Sequence, residues 1–114
     1  MIAVIFEVLP NPRRKDDYLR MAEGLKAELQ AMDGFVSVER FESLTTPGKY
    51  LSLSIWRDEE AVKRWRNVAA HRAAQAAGRG EVFQDYRLRV ATVVRDYGMH
   101  ERGEAPGDSR GAHG

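Results

Sequence analysis

The segment between Tyr50 and His71 constrains the fold more than any other, because it predicts a strand, a helix cap and an amphipathic helix in direct succession. From Leu51 to Ile55, apolar residues alternate with serines at the period of two that is typical of a strand. Asp58 is a good N-cap, and the two glutamates after it place negative charge at the positive end of the helix dipole. We therefore expect a strand that passes directly into a helix covering the same sheet.

The rest of the chain predicts three further strands and one further helix. The 20 residues from Arg13 to Met32 carry apolar side chains at helical spacing, and Asp33-Gly34 ends that helix. In the second strand we expect Phe35 and Ser37 on the same face. The predicted ranges are strand Ile2–Leu9, helix Arg13–Met32, strand Phe35–Ser43, strand Tyr50–Trp56, a helix after Asp58 that continues or turns at residues 70–77, and strand Phe83–Arg95.

The order β-α-β-β-α-β predicts an α+β, ferredoxin-like fold, in which two helices cover one face of a four-stranded antiparallel sheet. Yet the first strand is apolar on both faces, with Ile2, Val4 and Phe6 on one side and Ala3 and Ile5 on the other. No segment remains to cover the second face. A second copy of the chain, packed sheet against sheet, is the simplest cover. We expect one domain over residues 1–97 and a polar, flexible tail over residues 98–114.

Composition excludes several functional classes. The net charge of +1 gives no field that would attract nucleic acid or an acidic membrane surface. The chain has no cysteine, which excludes disulfides, thiolate metal sites and cysteine nucleophiles, and its three scattered histidines do not predict a metal site. No apolar run is long enough to span a membrane, and the N-terminus lacks the basic region of a signal peptide. We expect a cytoplasmic protein.

The chain resembles the antibiotic biosynthesis monooxygenase family of the dimeric α/β-barrel superfamily. The resemblance covers about residues 1–97 and rests on the element order, on Asp33-Gly34-Phe35, on the run from Leu53 to Ala61 and on His71. It implies a homodimer whose two sheets close into a barrel, with an apolar pocket between the sheet and helices of each subunit. It also implies oxidation of a small aromatic substrate by O2 without an added cofactor, since characterised members oxidise quinols or polycyclic aromatic polyketides in this way.

A related branch of the superfamily cleaves haem, and the chain departs from its pattern. That branch depends on an asparagine in the first strand, a tryptophan and an axial histidine, whereas the first strand here offers Glu7. On an unbroken helix, Trp65 and His71 would differ by about 240° around the axis, so they could meet only if the helix broke near Asn67. Haem is therefore the disfavoured cofactor. Where many family members have a histidine, this chain has Trp65.

The candidate site residues lie on and after the second helix. His71 is the candidate general base, or a histidine at a helix end with no catalytic role. Trp65 is either a pocket wall that stacks on a planar substrate or part of the core, and Trp56 is predicted to be core or dimer-interface packing. The other candidate substrate-binding residues are Arg72, Arg79, Phe83 and Tyr86. The two arginines are cations at the pocket mouth, for which ordinary exposed arginine is the commoner alternative. The two aromatic residues are stacking surfaces, and Tyr86 could equally belong to the core.

The last strand carries Asp85, Arg87 and Arg89 on one face. They could clamp a phenolate or form a salt-bridge ladder with a second subunit. Glu7, on an otherwise apolar strand, needs a partner, and one of these arginines is a candidate because strands one and four are neighbours in this fold.

The leading functional hypothesis is a homodimeric monooxygenase that oxidises a quinol or aromatic phenol. A dimeric protein that binds an aromatic metabolite without turnover, for instance in a stress response, is the alternative.

Overall fold

The computed structural model describes the backbone of residues 1–77 and 82–114 and the side chains of residues 1–69 and 82–114. Four strands form one antiparallel sheet in the order β2-β3-β1-β4, and two long helices follow β1 and β3. The α+β, ferredoxin-like prediction is confirmed. The elements are β1 Ile2–Pro10, a short 3-10 turn Pro12–Arg14, α1 Lys15–Ala31, β2 Phe35–Glu42, β3 Tyr50–Trp56, α2 Glu59–Ala77, β4 Phe83–Thr92 and α3 Gly107–His113.

Both long helices pack on the same face of the sheet. In one core cluster, Leu29 of α1 and Val62 of α2 lie against Ile2 and Trp56. A second cluster, nearer the other end of β1, joins Val8 to Tyr18, Tyr50 and Val82. Alternate residues of β1 therefore face the helices, and the residues between them face away.

Trp56 is fully buried in the first cluster, as expected for core packing. Its indole Nε1–H donates to Ser54 Oγ at 2.8 Å, so the one polar atom of the ring is satisfied inside the core. Ser54 lies two residues earlier on the same face of β3 and is itself buried. The alternation of β3 thus supplies both the aromatic side chain and its acceptor.

The second strand departs from the predicted alternation. Phe35 aligns with Trp56 and Ser37 with Ile55, and the register shifts between them. Phe35 and Ser37 therefore lie on opposite faces, and Phe35 packs edge-on against Trp56 with ring centroids 5.4 Å apart. Inserting one residue lets β2 keep an aromatic side chain on the core and still pair with β3 farther along.

The opposite face of the sheet, which we call the open face, is covered by no described element. The register places Ala3, Ile5 and Glu7 of β1 on it, beside Leu51 and Leu53 of β3. The radius of gyration is 16.6 Å, against about 13 Å for a compact domain of this length. The protomer is thus less compact than a self-contained domain.

The C-terminal segment contains a helix that its sequence pattern does not predict. Gly107–His113 form α3, and Arg102 holds the segment together by donating to the carbonyl oxygens of Gly98 and Gly114 and to Ser109 Oγ. These contacts join residues 4 to 12 positions apart through polar and backbone groups, which a search for apolar periodicity does not reveal. Flexibility of the segment remains a prediction.

Candidate functional site

The helix-facing side of β4 is largely exposed. Tyr86, Leu88 and Val90 pair across the ladder with residues of β1 that face the helices, so they lie on the same side of the sheet. Their exposed fractions are nevertheless 61%, 53% and 45%. The helices cover β1 and β3, whereas β4 lies at the edge. We call these three side chains the β4 apolar strip.

A groove runs between the start of α2 and the β4 apolar strip. It has a volume of about 320 Å³, which is within the usual range for small-ligand sites. Positions 59, 62, 63 and 66 lie on one side of a helix because they are three or four residues apart. The groove is lined by Glu59, Glu60, Val62, Lys63, Arg66 and Val90. Its lining combines two valines with acidic and basic side chains.

An aromatic cluster continues the apolar surface toward the beginning of β4. The rings of Phe83 and Tyr86 lie 6.1 Å apart, and each also contacts Phe6 of β1, with centroid distances of 6.0 and 5.7 Å. Phe83 is half-buried against Tyr18, while Tyr86 is exposed. The structure therefore brings these two predicted stacking residues together, with Tyr86 on the solvent side.

Trp65 belongs to a different cluster. Its ring stacks on Trp56 at a centroid distance of 6.2 Å and an interplanar angle of 29°, and it packs against the core around Ile2. Trp65 therefore packs α2 against the sheet. Trp65 is half-buried, so one part of its ring remains accessible.

The other predicted site residues lie outside the part of the chain whose side chains are described. This holds for the side chains of His71 and Arg72 and for the whole of Arg79. The backbone of α2 is continuous from Glu59 to Ala77, so the helix does not break near Asn67. The helix therefore lacks the break that a Trp65–His71 pair would require.

The structure adds Lys63 and Arg66, which the sequence pattern did not single out. Both are exposed and line the groove. Their spacing of three residues beside Val62 was visible in the sequence, but their importance depends on β4 being uncovered. Arg64, between them, points elsewhere and reaches Asp33 Oδ2 at 3.7 Å.

The start of α2 is anchored by a network of charges. Asp58 Oδ1 accepts from the backbone N–H of Ala61 at 2.9 Å, which confirms the predicted cap. Arg57 donates to both carboxylate oxygens of Asp33, at 3.1 and 3.0 Å, and to Asp58. These contacts hold the pKa of Asp33 below its usual range, chiefly through the hydrogen bond from Arg57, and that of Asp58, chiefly through the Ala61 N–H. The anchor fixes one wall of the groove.

Glu7, on the open face, is paired with two cations. Arg89 Nη1 donates to Glu7 Oε2 at 2.8 Å, and Lys49 Nζ lies 3.7 Å from Glu7 Oε1. The predicted contact of Glu7 with a β4 arginine is thus confirmed. The hydrogen bond from Arg89 is the main reason that the pKa of Glu7 is lowered. This pair lies on the side of the sheet opposite the groove.

Among the described residues, no group of three or more histidine, aspartate or glutamate side chains is placed to hold a metal ion. No helix in the described ranges is long and apolar enough to cross a membrane.

Comparison with known proteins shows which family the chain resembles. The profile of the antibiotic biosynthesis monooxygenase family matches residues 1–77. The jasmonate monooxygenase ABM of Pyricularia oryzae is 48% identical over 101 residues, which make up 89% of this chain and 47% of that protein. The chain therefore spans about half the length of that curated relative.

Solved structures share the fold at low sequence identity. A putative antibiotic biosynthesis monooxygenase from Deinococcus radiodurans superposes with a TM-score of 0.73 at 13% identity, covering 86% of this chain and 97% of that one. A variant of MhuD with two manganese protoporphyrin IX molecules bound per active site gives a TM-score of 0.67 at 20% identity, covering 86% and 99%. The family profile extends over about two thirds of the 114 residues, and the fold agrees with it. The chain belongs to the antibiotic biosynthesis monooxygenase family.

Proposed function

We propose that the protein is a cytoplasmic, homodimeric monooxygenase that oxidises a quinol or aromatic phenol with O2 and without an added cofactor. The observation that supports this most directly is the uncovered β4 apolar strip, Tyr86, Leu88 and Val90, beside a groove of ligand size. A planar apolar molecule placed there would bury its own surface and that of the strip. Family membership supplies the reaction type.

The proposed reaction needs few functional groups from the protein. A phenol donates an electron to O2 more readily once it is deprotonated, and recombination of the resulting radical pair adds oxygen to the ring. Loss of water then gives a quinone, so that phenol and O2 become quinone and water with atoms and electrons in balance. In this proposal His71 accepts the phenol proton, Arg72 or Arg79 holds the phenolate, and Phe83 and Tyr86 stack on the ring.

A second substrate class is suggested by the relative that acts on jasmonate. Jasmonate is a small cyclic ketone with a carboxylate, and it fits the same combination of apolar and charged side chains. Hydroxylation of an unactivated carbon consumes two electrons and two protons beyond the substrate's own, because one oxygen atom of O2 must leave as water. This class would therefore require an external reductant, which a phenol does not.

Haem cleavage remains a more distant candidate. The likeness to MhuD shows the fold alone, at 20% identity. On the helix-facing side β1 presents Ile2, Val4, Phe6 and Val8, which are all apolar, whereas Glu7 faces the other way. A Soret band that grows and saturates on titration with haem would favour haem binding over our proposal.

The proposed dimer follows from the open face. Ile5, Leu51 and Leu53 form a partly exposed apolar surface there that no described element covers, and the Glu7–Arg89 pair lies among them. A second sheet packed on this face would remove the apolar side chains from water. Such a dimer leaves the groove, on the other face, accessible.

Oxygen uptake by purified, metal-free protein tests the function. We expect protein-dependent uptake that saturates with one class among a panel of quinols and polycyclic phenols, each measured against a no-protein control. Jasmonic acid would be tested with and without a reductant. No uptake above autoxidation, together with a thermal shift produced by the same compounds, would replace the oxygenase with the non-catalytic binding protein.

A further inference from the structure

We infer that Lys63 and Arg66 form an anion-binding subsite at the rim of the groove, so that the ligand carries an anionic group next to its apolar body. The inference rests on the proposed function only for the identity of the groove as the substrate site. It specifies that the ring compound proposed above is an amphipathic anion, for example one that carries a carboxylate.

The first argument is that these two cations are not used within the described part of the protomer. Neither forms an ion pair or a side-chain hydrogen bond with any described residue, although both line the groove. Neighbouring arginines behave differently: Arg57 and Arg64 both contact Asp33, and Arg89 pairs with Glu7. Lys63 and Arg66 thus line the groove without a counter-ion among the described residues.

The second argument is the surface beside them. Val62 of α2 and Val90 of β4 form the apolar part of the lining, and Leu88 and Tyr86 extend it along the strand. A small inorganic anion would leave this apolar surface exposed, whereas an amphipathic anion would cover it. A guanidinium can hold a carboxylate through two parallel hydrogen bonds, which fixes the orientation of the ligand as well as its charge.

The third argument is the distribution of charge along the groove. Glu59 and Glu60 line its other end, and Arg66 lies about 10 Å farther along the helix axis at the usual rise per residue. An anion is therefore repelled at the start of α2 and attracted two turns later. The ligand would bind with its anionic group toward Arg66.

The test compares two fluorescent probes of similar shape, anilinonaphthalene sulfonate and its uncharged parent phenylnaphthylamine. With both Lys63→Gln and Arg66→Gln introduced, we expect the affinity for the sulfonate to fall roughly five- to tenfold at low salt, since the contacts are exposed and screened. The affinity for phenylnaphthylamine should stay unchanged. Lys26→Gln, which removes one cation from the exposed side of α1, is the control for a charge outside the groove and should change neither affinity.

A variant that removes a negative charge from the groove gives a second test with the opposite expected result. Glu59→Gln removes a repulsive charge from the groove and should tighten sulfonate binding, with no change for phenylnaphthylamine. Equal losses for both probes in the Lys63 and Arg66 variant, or no loss for either, would overturn the subsite. These readouts do not involve O2: charge-selective binding without oxygen uptake would refute only the proposed function. Turnover of a neutral quinol with unaltered sulfonate affinity in the variant would refute only the subsite.

Discussion

Gly34 passes so close to α2 that a Cβ atom on it would lie 2.6 Å from the Cβ of Ala61. Its φ angle of 87° is also one that residues with a side chain rarely adopt. The carbonyl of Gly34 accepts from the N–H of Arg57 at 2.7 Å, so the turn after α1 is tied to the start of α2 at this point. The glycine allows the two segments to approach and thereby sets one wall of the groove.

We predict that Gly34→Ala lowers the free energy of unfolding by about 2–4 kcal/mol, because it combines backbone strain with overpacking against Ala61. Gly48→Ala is the matched control. Gly48 has a similar φ of 85°, but a Cβ atom added to it would meet no atom within 4 Å, so it should lose only the strain part, about 1–2 kcal/mol. Urea unfolding of both variants measures the difference, and equal losses would show that the contact with Ala61 is not important.

The buried hydrogen bond of Trp56 gives a second prediction. Ser54→Ala leaves the indole N–H without its acceptor inside the core, and we expect a loss of about 1–3 kcal/mol in the free energy of unfolding. Ser52→Ala, two residues earlier on the same face of β3, removes a hydroxyl with no such partner among the described residues and should change stability little. If the two variants unfold at the same urea concentration, the Ser54–Trp56 bond contributes nothing measurable.

Stability should decrease in acid. The pKa values of Glu7, Asp33 and Asp58 are all lowered in the folded protein, by the hydrogen bonds from Arg89, Arg57 and the Ala61 N–H respectively. A carboxyl whose folded pKa is lowered binds protons more readily when unfolded, so its stabilising effect is complete above the ordinary value near 4 and disappears as the pH falls through the folded value.

Urea unfolding between pH 6 and pH 2 would measure this dependence. Asp33→Asn should flatten the acid limb because it removes one of the three groups, while Glu23→Gln, an exposed α1 carboxylate that forms no ion pair among the described residues, should leave it unaltered. An acid limb of the same steepness in the Asp33 variant would contradict the assignment.

The parts of the fold that depend on local pattern were predictable from the sequence. The Asp58 cap, the two faces of β1 and the pairing of Glu7 with a β4 arginine all follow from spacing and neighbouring strands. The β2 bulge and α3 were missed because each is stabilised by contacts between distant residues, Phe35 with Trp56 and Arg102 with Gly114. Lys63 and Arg66 resemble ordinary exposed cations until the position of β4 shows that they line a groove.

The open face gives a prediction about assembly. We expect a mass in solution near twice 12.9 kDa for the wild type. Leu53→Lys should produce a monomer, because a charge buried between two sheets costs several kcal/mol, while within the protomer the new lysine would lie opposite Glu39 and be tolerated. Leu44→Lys is the control: Leu44 is 99% exposed in the β2–β3 turn, outside the sheet. A dimeric Leu53→Lys variant, measured by sedimentation, would place the interface elsewhere.

The proposed base can be tested once a substrate is known. If His71 accepts the phenol proton, His71→Ala should lower kcat/KM by about 100-fold or more, and the rise of kcat/KM with pH that a neutral imidazole requires should flatten. His113→Ala, at the end of α3, is the matched histidine control and should retain wild-type activity. An increase in KM at constant kcat would assign His71 to substrate binding instead. Turnover at the wild-type rate would exclude it from the reaction, and the proton would then have to leave to solvent, which an exposed groove beside Tyr86 permits.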